Sequence, residues 1–262
     1  MAGHRPRKRF GQNFLHDRGV IDRILSCIAA RPGETVVEIG PGRGALTRGL
    51  LASGARVEAV EMDRDLAPGL DGLTGPGGPL VVHCADALSF PLAGCGDGTD
   101  LRVVGNLPYN ISTPLLFHLF DQRSAIRDIH VMLQREVVER MVAPPGSRTF
   151  GRLSVMTQYQ CQVERLFNVA PGAFHPVPAV DSAVVRLRPR PAAETPPAEA
   201  RRLAELVACA FGQRRKTLRR TLRGRLDDAA LAACGVDPGS RPEALGLDAW
   251  RCLARHPGGG AR

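Results

Sequence analysis

The sequence predicts an α/β protein: a seven-stranded, mostly parallel sheet covered on both faces by helices, followed by a small all-helical domain. Three observations predict it. Five short β-rich segments alternate with helical patterns through the first half of the chain. A glycine-rich turn separates the first of these from its helix. Past a proline-rich stretch near residue 190, the β pattern stops. Strands alternating with helices require crossover connections, and these make a parallel sheet buried on both sides.

The elements follow in order. Residues 17–30 place Val20, Ile21, Ile24, Leu25 and Ile28 at helical spacing, with Asp17 as N-cap. Strands are expected at 35–39, 56–61, 80–83, 101–105 and 128–134, with helical patterns between them. Two further strands, 163–169 and 182–187, have no clear helix between them. They are expected to form an antiparallel hairpin at the sheet edge. Pro189-Arg190-Pro191 and Pro196-Pro197 flank a polar stretch that reads as a linker. The expected domains are therefore 1–190 and 191–262, the second helical in pattern over 198–255. No internal repeat is present.

Composition limits the function. A chain of 262 residues, 44% hydrophobic and 23% charged, has enough apolar residues for a core without disulfides. No apolar run approaches a membrane span, and the basic N-terminus is not followed by the apolar stretch of a secretory signal. The cysteines are Cys27, Cys84, Cys95, Cys161, Cys209, Cys234 and Cys252. They are odd in number, scattered, and form no C-x-x-C pair. They read as reduced thiols of a cytoplasmic protein, with neither a disulfide framework nor a metal site expected. The net charge of +9 favours a polyanionic partner. Lys8 and Lys216 are the only lysines, so the excess charge is arginine, whose planar fork suits phosphate.

The glycine turn is Val36-Val37-Glu38-Ile39-Gly40-Pro41-Gly42-Arg43-Gly44. Gly40 and Gly42 permit positive φ and close approach of a ligand to the main chain. A strand–turn–helix at the first crossover of a parallel sheet binds nucleotide-like ligands. Glu61, at the end of the next strand, is placed to accept hydrogen bonds from ribose hydroxyls. Asp86, after the third, is placed to accept one from an adenine amino group. The spacing is G-x-G-x-G, and Glu38 precedes the loop. Both features disfavour a doubly negative pyrophosphate, and with it a nicotinamide-dependent oxidoreductase.

The most specific motif is Asn106-Leu107-Pro108-Tyr109, closing the fourth strand. An exocyclic amine on an aromatic base is a poor nucleophile because its lone pair is delocalised. The Asn106 side-chain oxygen and the Leu107 carbonyl suit acceptance of one amine hydrogen each, which localises and aims that lone pair. Pro108 fixes the turn and holds Leu107 extended. Tyr109 offers a face to an unstacked base.

The run Asn106-Leu107-Pro108-Tyr109-Asn110-Ile111-Ser112-Thr113-Pro114 resembles the catalytic loop of the KsgA-type rRNA adenine dimethyltransferases. Four other stretches resemble that family: 7–15, 134–138 with 151–155, 174–185, and 211–218. The resemblance extends from about Lys8 to Leu253. It implies a Rossmann-like, seven-stranded class I methyltransferase sheet and S-adenosylmethionine as cofactor. It implies that Asn13 and Leu15 reach the cofactor from an N-terminal lid, with Gly40, Glu61, Asp86 and Asn106 completing the site. Phe174 is expected to close on the target base opposite Tyr109. The implied reaction is N6,N6-dimethylation of two adjacent adenosines near the 3′ end of small-subunit rRNA. The implied partner is the small ribosomal subunit. No metal-ligand spacing appears in the sequence and no membrane partner is expected; a monomer is expected, although the sequence itself is silent on oligomeric state. Ala179 departs from the family, whose members often carry lysine there, which puts an RNA contact in doubt.

Arg214, Arg215, Lys216, Arg219, Arg220, Arg223 and Arg225 precede the next acid, Asp227. Their spacing is expected to put several on one helix face as an RNA backbone grip. Arg5, Arg7, Lys8 and Arg9 form a second basic group. His118 and His130 sit in apolar segments and read as hydrogen-bonded structural histidines. Two alternatives besides the oxidoreductase stay open. One is an Erm-type methyltransferase acting on large-subunit rRNA and conferring macrolide resistance. The other is a non-catalytic RNA-binding or assembly protein.

Overall fold

The computed structural model describes residues 12–74 and 77–257. The basic arm Arg5, Arg7, Lys8 and Arg9 lies outside the described residues. The chain divides into two compact units, one of Met1–Val138 with Glu164–Pro189, the other of Glu139–Val163 with Arg190–Arg262. The chain passes between these units three times, the last time at Pro189–Arg190. Residues 139–163, which the sequence reading assigned to the first domain, belong instead to the second unit. Periodicity identifies a helix there but does not say which core it joins.

In the first unit the elements are β1 (Phe14–Leu15), α1 (Arg18–Ile28), β2 (Thr35–Ile39), α2 (Thr47–Ala52), β3 (Arg56–Val60), α3 (Ala67–Asp71) and β4 (Leu80–His83). Then come β5 (Leu101–Asn106), α4 (Ser112–Asp121), β6 (Ile126–Gln134) and α5 (Arg135–Met141), the last running into the second unit. After α6 (Arg152–Gln160) follow β7 (Cys161–Val169), β8 (Phe174–His175) and β9 (Ser182–Pro189). Seven strands form one sheet in the order β4-β3-β2-β5-β6-β9-β7. The β2/β3, β3/β4, β2/β5 and β5/β6 pairs are parallel, and β6/β9 is antiparallel. The two late strands are neighbours, as expected, but β9 inserts inside and leaves β7 at the edge. The two-residue strands β1 and β8 pair separately, Leu15 opposite Phe174. They are too short to show a pattern in the sequence.

Asp17 caps α1, its side chain accepting from the Val20 amide at 2.9 Å, and Ala29 ends the helix in the left-handed region. Ile24 and Ile28 are buried in a core that includes Val36, Leu46, Leu50, Val57 and Val104. Each buried Ile contributes roughly 1.5–3 kcal/mol. Gly49 makes the α1–α2 contact possible, because a Cβ there would collide with the Leu25 side chain.

Arg102, only 5% exposed, holds the opposite end of β5. It makes a two-pronged bond to Asp128 at 3.0 and 2.9 Å, meets Glu34 at 3.0 Å, and donates to the Ile28 carbonyl at 2.5 Å. The guanidinium thereby joins β5, β6 and the end of α1. Together with His130, it helps hold the Asp128 carboxyl down to about 2 against the opposing effect of burial.

In the second unit α6 joins α7 (Pro197–Gly212), α8 (Leu218–Thr221), α9 (Asp228–Ala233) and α10 (Leu247–Arg255). Leu203, Leu206, Val207 and Ala210 form the buried stripe of α7, and Phe211 lies 5.9 Å from the Trp250 ring of α10. Two expectations are corrected here. The basic run is not one helix face: α8 has four residues, and residues 213–216 form a turn before it. Nor are all the cysteines free, because Cys234 and Cys252 form a disulfide with Cα atoms 5.7 Å apart. Eighteen residues separate them in sequence, and the packing of α9 and α10 brings them together. No helix among the described residues is long and apolar enough to cross a membrane.

Candidate active site

From β2 the sheet runs one way to β3 and β4 and the other way to β5 and β6. The connections therefore diverge between β2 and β5 and open a crevice beyond their carboxyl ends, the usual ligand site of such sheets. A cavity of about 330 Å³ lies there, within the range of small-molecule sites. Its lining includes Asn13, Leu15, Gly40, Gly42, Glu61, Asp86, Asn106, Leu107, Pro108 and Tyr109. Residues expected from four separate strand ends and from the N-terminal segment thus converge.

The glycine turn takes the required backbone, with φ of 67° at Gly40 and 58° at Gly42. A Cβ at Gly42 would come within 3.0 Å of the Phe14 ring. Arg43 stacks over that ring at 4.6 Å.

Glu61 is 6% exposed, and its two oxygens accept the Gly42 amide at 3.1 Å and the Asp63 amide at 2.9 Å. Burial raises its carboxyl above the usual range despite these bonds. Each oxygen retains a second lone pair for a ligand hydroxyl. Glu38 lies beside it, also buried, and accepts from the Thr47 hydroxyl at 2.6 Å. Burial, with the Glu61 charge adding to it, pushes Glu38 up to about 7. One oxygen of Asp86 accepts from the Leu88 amide at 2.9 Å. Glu61 and Asp86, with Glu38 partly protonated near neutrality, face Arg43 and make this a cavity suited to a cationic ligand.

Asn106 ends β5, and its amide Nδ2 donates to the Asn13 carbonyl at 2.8 Å. That bond fixes the orientation of the amide and assigns Oδ1 the acceptor role. The Leu107 amide donates to the Met132 carbonyl at 3.2 Å, tying the turn to β6. At Gly105 a Cβ would collide with the Ile39 carbonyl oxygen, so glycine permits the close approach that sets Asn106 beside the glycine turn. Tyr109 bonds through its hydroxyl to the Ser182 hydroxyl at 2.6 Å, which holds the ring in the cavity wall. Burial raises its phenol above the ordinary value.

Phe174 is placed apart from the other expected site residues. It is 1% exposed, packs in the core with Leu15 and Met132, and does not line the cavity. Its pairing across β8 to Leu15 draws it inward. Arg214, Arg215, Lys216, Arg219 and Arg220 are exposed in the second unit. Acids distant in sequence reach two of them: Asp228 meets Arg219 at 2.8 Å and Glu243 meets Arg214 at 3.9 Å. His118 is structural, bonded to the Phe90 carbonyl at 3.0 Å. His130 is buried, with Nδ1 3.5 Å from Asp128 but no hydrogen bond from either ring nitrogen.

Sequence reasoning missed several residues of the site. Met62, 53% exposed and lining the cavity, offers an apolar face directly after Glu61. Its position next to the acid was the available signal. Gln12 donates to Asp63 at 2.9 Å and helps tie the N-terminal segment over the crevice, a long-range bond without local signature.

The family of ribosomal RNA adenine dimethylases matches residues 3–245 of the chain. A Pseudomonas putida protein named ribosomal RNA small subunit methyltransferase A is 56% identical over 252 residues, covering 96% of this chain and 94% of that one. A Methylococcus capsulatus protein of the same name is 53% identical over 254 residues, covering 96% and 98%. Among solved structures, the 23S rRNA methyltransferase ErmE is 29% identical with a TM-score of 0.72, over 92% of this chain and 98% of that one. A dimethyladenosine transferase from Plasmodium falciparum shares the fold at 24% identity and a TM-score of 0.77, over 92% and 95%. With a match across nearly the whole length and more than half the residues identical to such relatives, the chain belongs to the ribosomal RNA adenine dimethylase family.

Proposed function

We propose that this chain uses S-adenosylmethionine to dimethylate N6 of two adjacent adenosines near the 3′ end of small-subunit rRNA, in the cytoplasm. The observation that carries the chemistry is the locked amide of Asn106, whose Nδ2 is committed to Asn13 and whose Oδ1 is left as acceptor at the cavity. The residues present suit the cofactor. Glu61 and Asp86 favour a ligand bearing positive charge, Glu61 has lone pairs for the ribose hydroxyls, and Met62 gives the purine an apolar surface. When bound, S-adenosylmethionine supplies an electrophilic methyl group.

The chain's own residues prepare the amine. Asn106 Oδ1 and the Leu107 carbonyl each accept one N6 hydrogen, favouring a tetrahedral nitrogen with its lone pair aimed. Tyr109, tethered to Ser182, receives the face of the flipped base. No strong base is required, because the amine becomes acidic only once the new bond forms. The exposed arginines of the second unit are assigned to RNA phosphates, and the small ribosomal subunit is the assigned partner. The small-subunit relatives, at 53–56% identity, favour this substrate over that of ErmE, at 29%.

The test uses purified full-length chain, labelled S-adenosylmethionine and small subunits lacking the modification. Labelled N6,N6-dimethyladenosine in small-subunit rRNA is the expected product. Asn106→Ala is expected to lower turnover about 10²–10³-fold while retaining most cofactor affinity. Near-normal turnover in that variant would overturn the mechanism. Label confined to large-subunit rRNA would overturn the substrate.

A further inference from the structure

β3 and β4 carry a second group of chemically active side chains, which the cavity does not use. Along β3, Val57 enters the core, and alternation turns Glu58 to the other face, where it is 7% exposed. Its Oε2 lies 2.7 Å from His83 Nε2, at the end of β4, and its Oε1 accepts the Gly96 amide at 3.4 Å. Cys95, fully buried, closes the turn Leu92–Gly94 beside them. The carboxylate oxygen, imidazole nitrogen and thiol sulfur lie within 4.8 Å of one another. The Phe90 ring packs against His83 in a tilted arrangement, with centroids 4.9 Å apart.

We propose that Glu58, His83 and Cys95 bind a zinc-class divalent cation. The donor set is the argument. A sulfur, a nitrogen and an oxygen together select zinc over magnesium or calcium, which take oxygen alone. Tetrahedral zinc with bonds of 2.0–2.3 Å needs ligand atoms about 3.3–3.7 Å apart. The Glu58–His83 pair, at 2.7 Å, must open by under about 1 Å to reach that spacing, and the sulfur lies within 4.8 Å of both. The His83 side chain is 29% exposed, which gives the ring room to move and leaves a fourth position open to water. On binding, Cys95 Sγ gives up its proton to solvent and bonds as thiolate. Without a cation, burial and the Glu58 charge push that thiol up to about 11. Glu58 and His83 already satisfy each other by hydrogen bonding, so Cys95 is the residue that distinguishes a metal site from a polar pair.

The sequence concealed the trio, because 25 and 12 residues separate its members and no spacing motif results. The consequence falls on the active site. His83 accepts the Glu61 amide through its carbonyl at 2.9 Å, and Asp86 follows three residues later. A cation here pins the strand ends that carry both carboxylates. The inference is independent of the reaction assigned above.

The experiment uses full-length chain stripped with chelator, then titrated with zinc or with cobalt as a spectroscopic substitute. The expected result is one zinc per chain after buffer exchange, a raised Tm, and with cobalt a thiolate charge-transfer band of tetrahedral intensity. Cys95→Ser and His83→Gln are expected to weaken binding by ~100-fold or more, and Cys84→Ser, at an exposed neighbouring thiol, to retain it. Equal zinc content in Cys95→Ser and wild type would overturn the proposal. So would a wild-type cobalt spectrum lacking the thiolate band, a readout that does not depend on any variant folding.

Discussion

Glu38 concentrates the residue-scale physics of this protein. It is a carboxyl with 2% exposure, one hydroxyl donor, and a second carboxyl nearby. Its value in the fold, about 7, stands above the ordinary 4.5. The folded state therefore holds a proton between these values that the unfolded state has released. Stability is full below about 4.5, falls as pH rises, and levels off above about 7. The loss is of order 3 kcal/mol at most. Glu38→Gln keeps an acceptor for Thr47 and removes the titration. Denaturant unfolding at pH 5 and pH 8 should find the variant gaining on wild type as pH rises, and parallel curves would refute this. The acidic position was legible in the sequence as a residue unsuited to pyrophosphate. Its proton was not, because burial and the distance to Glu61 are properties of the packed crevice.

At the scale of elements, the Arg102 cluster shows how a strand interior accommodates charge. The Arg102 and Asp128 side chains are 6% and 10% exposed, so removing Arg102 leaves a buried carboxylate whose remaining cationic neighbour is His130 at 3.5 Å. Arg102→Met is expected to cost about 3–5 kcal/mol at neutral pH, measured by urea unfolding. In wild type, the stability from Asp128 is present above its ordinary value of 3.8 and lost as pH falls toward about 2. The deficit should therefore narrow in that acid range. A constant deficit would mean that packing, not charge, is what Arg102 supplies. The sequence placed β2, β4 and the Asp17 cap correctly because alternation, bounding turns and cap chemistry are local signals. It missed β1 and β8, which exist because Phe14 and Leu15 pair with a segment about 160 residues away. It also overextended the basic run into one helix, where residues 213–216 instead form a turn.

For the whole molecule, the +9 charge becomes a statement about which arginines remain available to phosphate. Arg215 and Arg220 are exposed, whereas Arg219 is engaged by Asp228. Binding to a small-subunit rRNA fragment, measured across a salt series, should lose about one unit of log–log slope in Arg220→Ala. Arg219→Ala should lose less, since Asp228 already offsets that charge. Equal losses would show that the ion pair opens on binding.

The sequence by itself determined the alternation of strands and helices, the glycine turn, the acids at the ends of consecutive strands, and the Asn106–Tyr109 motif. Each rests on a local rule: side-chain period, turn stereochemistry, or the chemistry of a short run. Only the tertiary structure decided that Asn13 orients the Asn106 amide and Ser182 tethers Tyr109. It also decided that Phe174 points into the core, that residues 139–163 join the second unit, and that Cys234 meets Cys252. The physical reason is common to all of these. They are contacts between segments far apart in the chain, fixed by which surfaces bury together, and no local pattern encodes a distant partner.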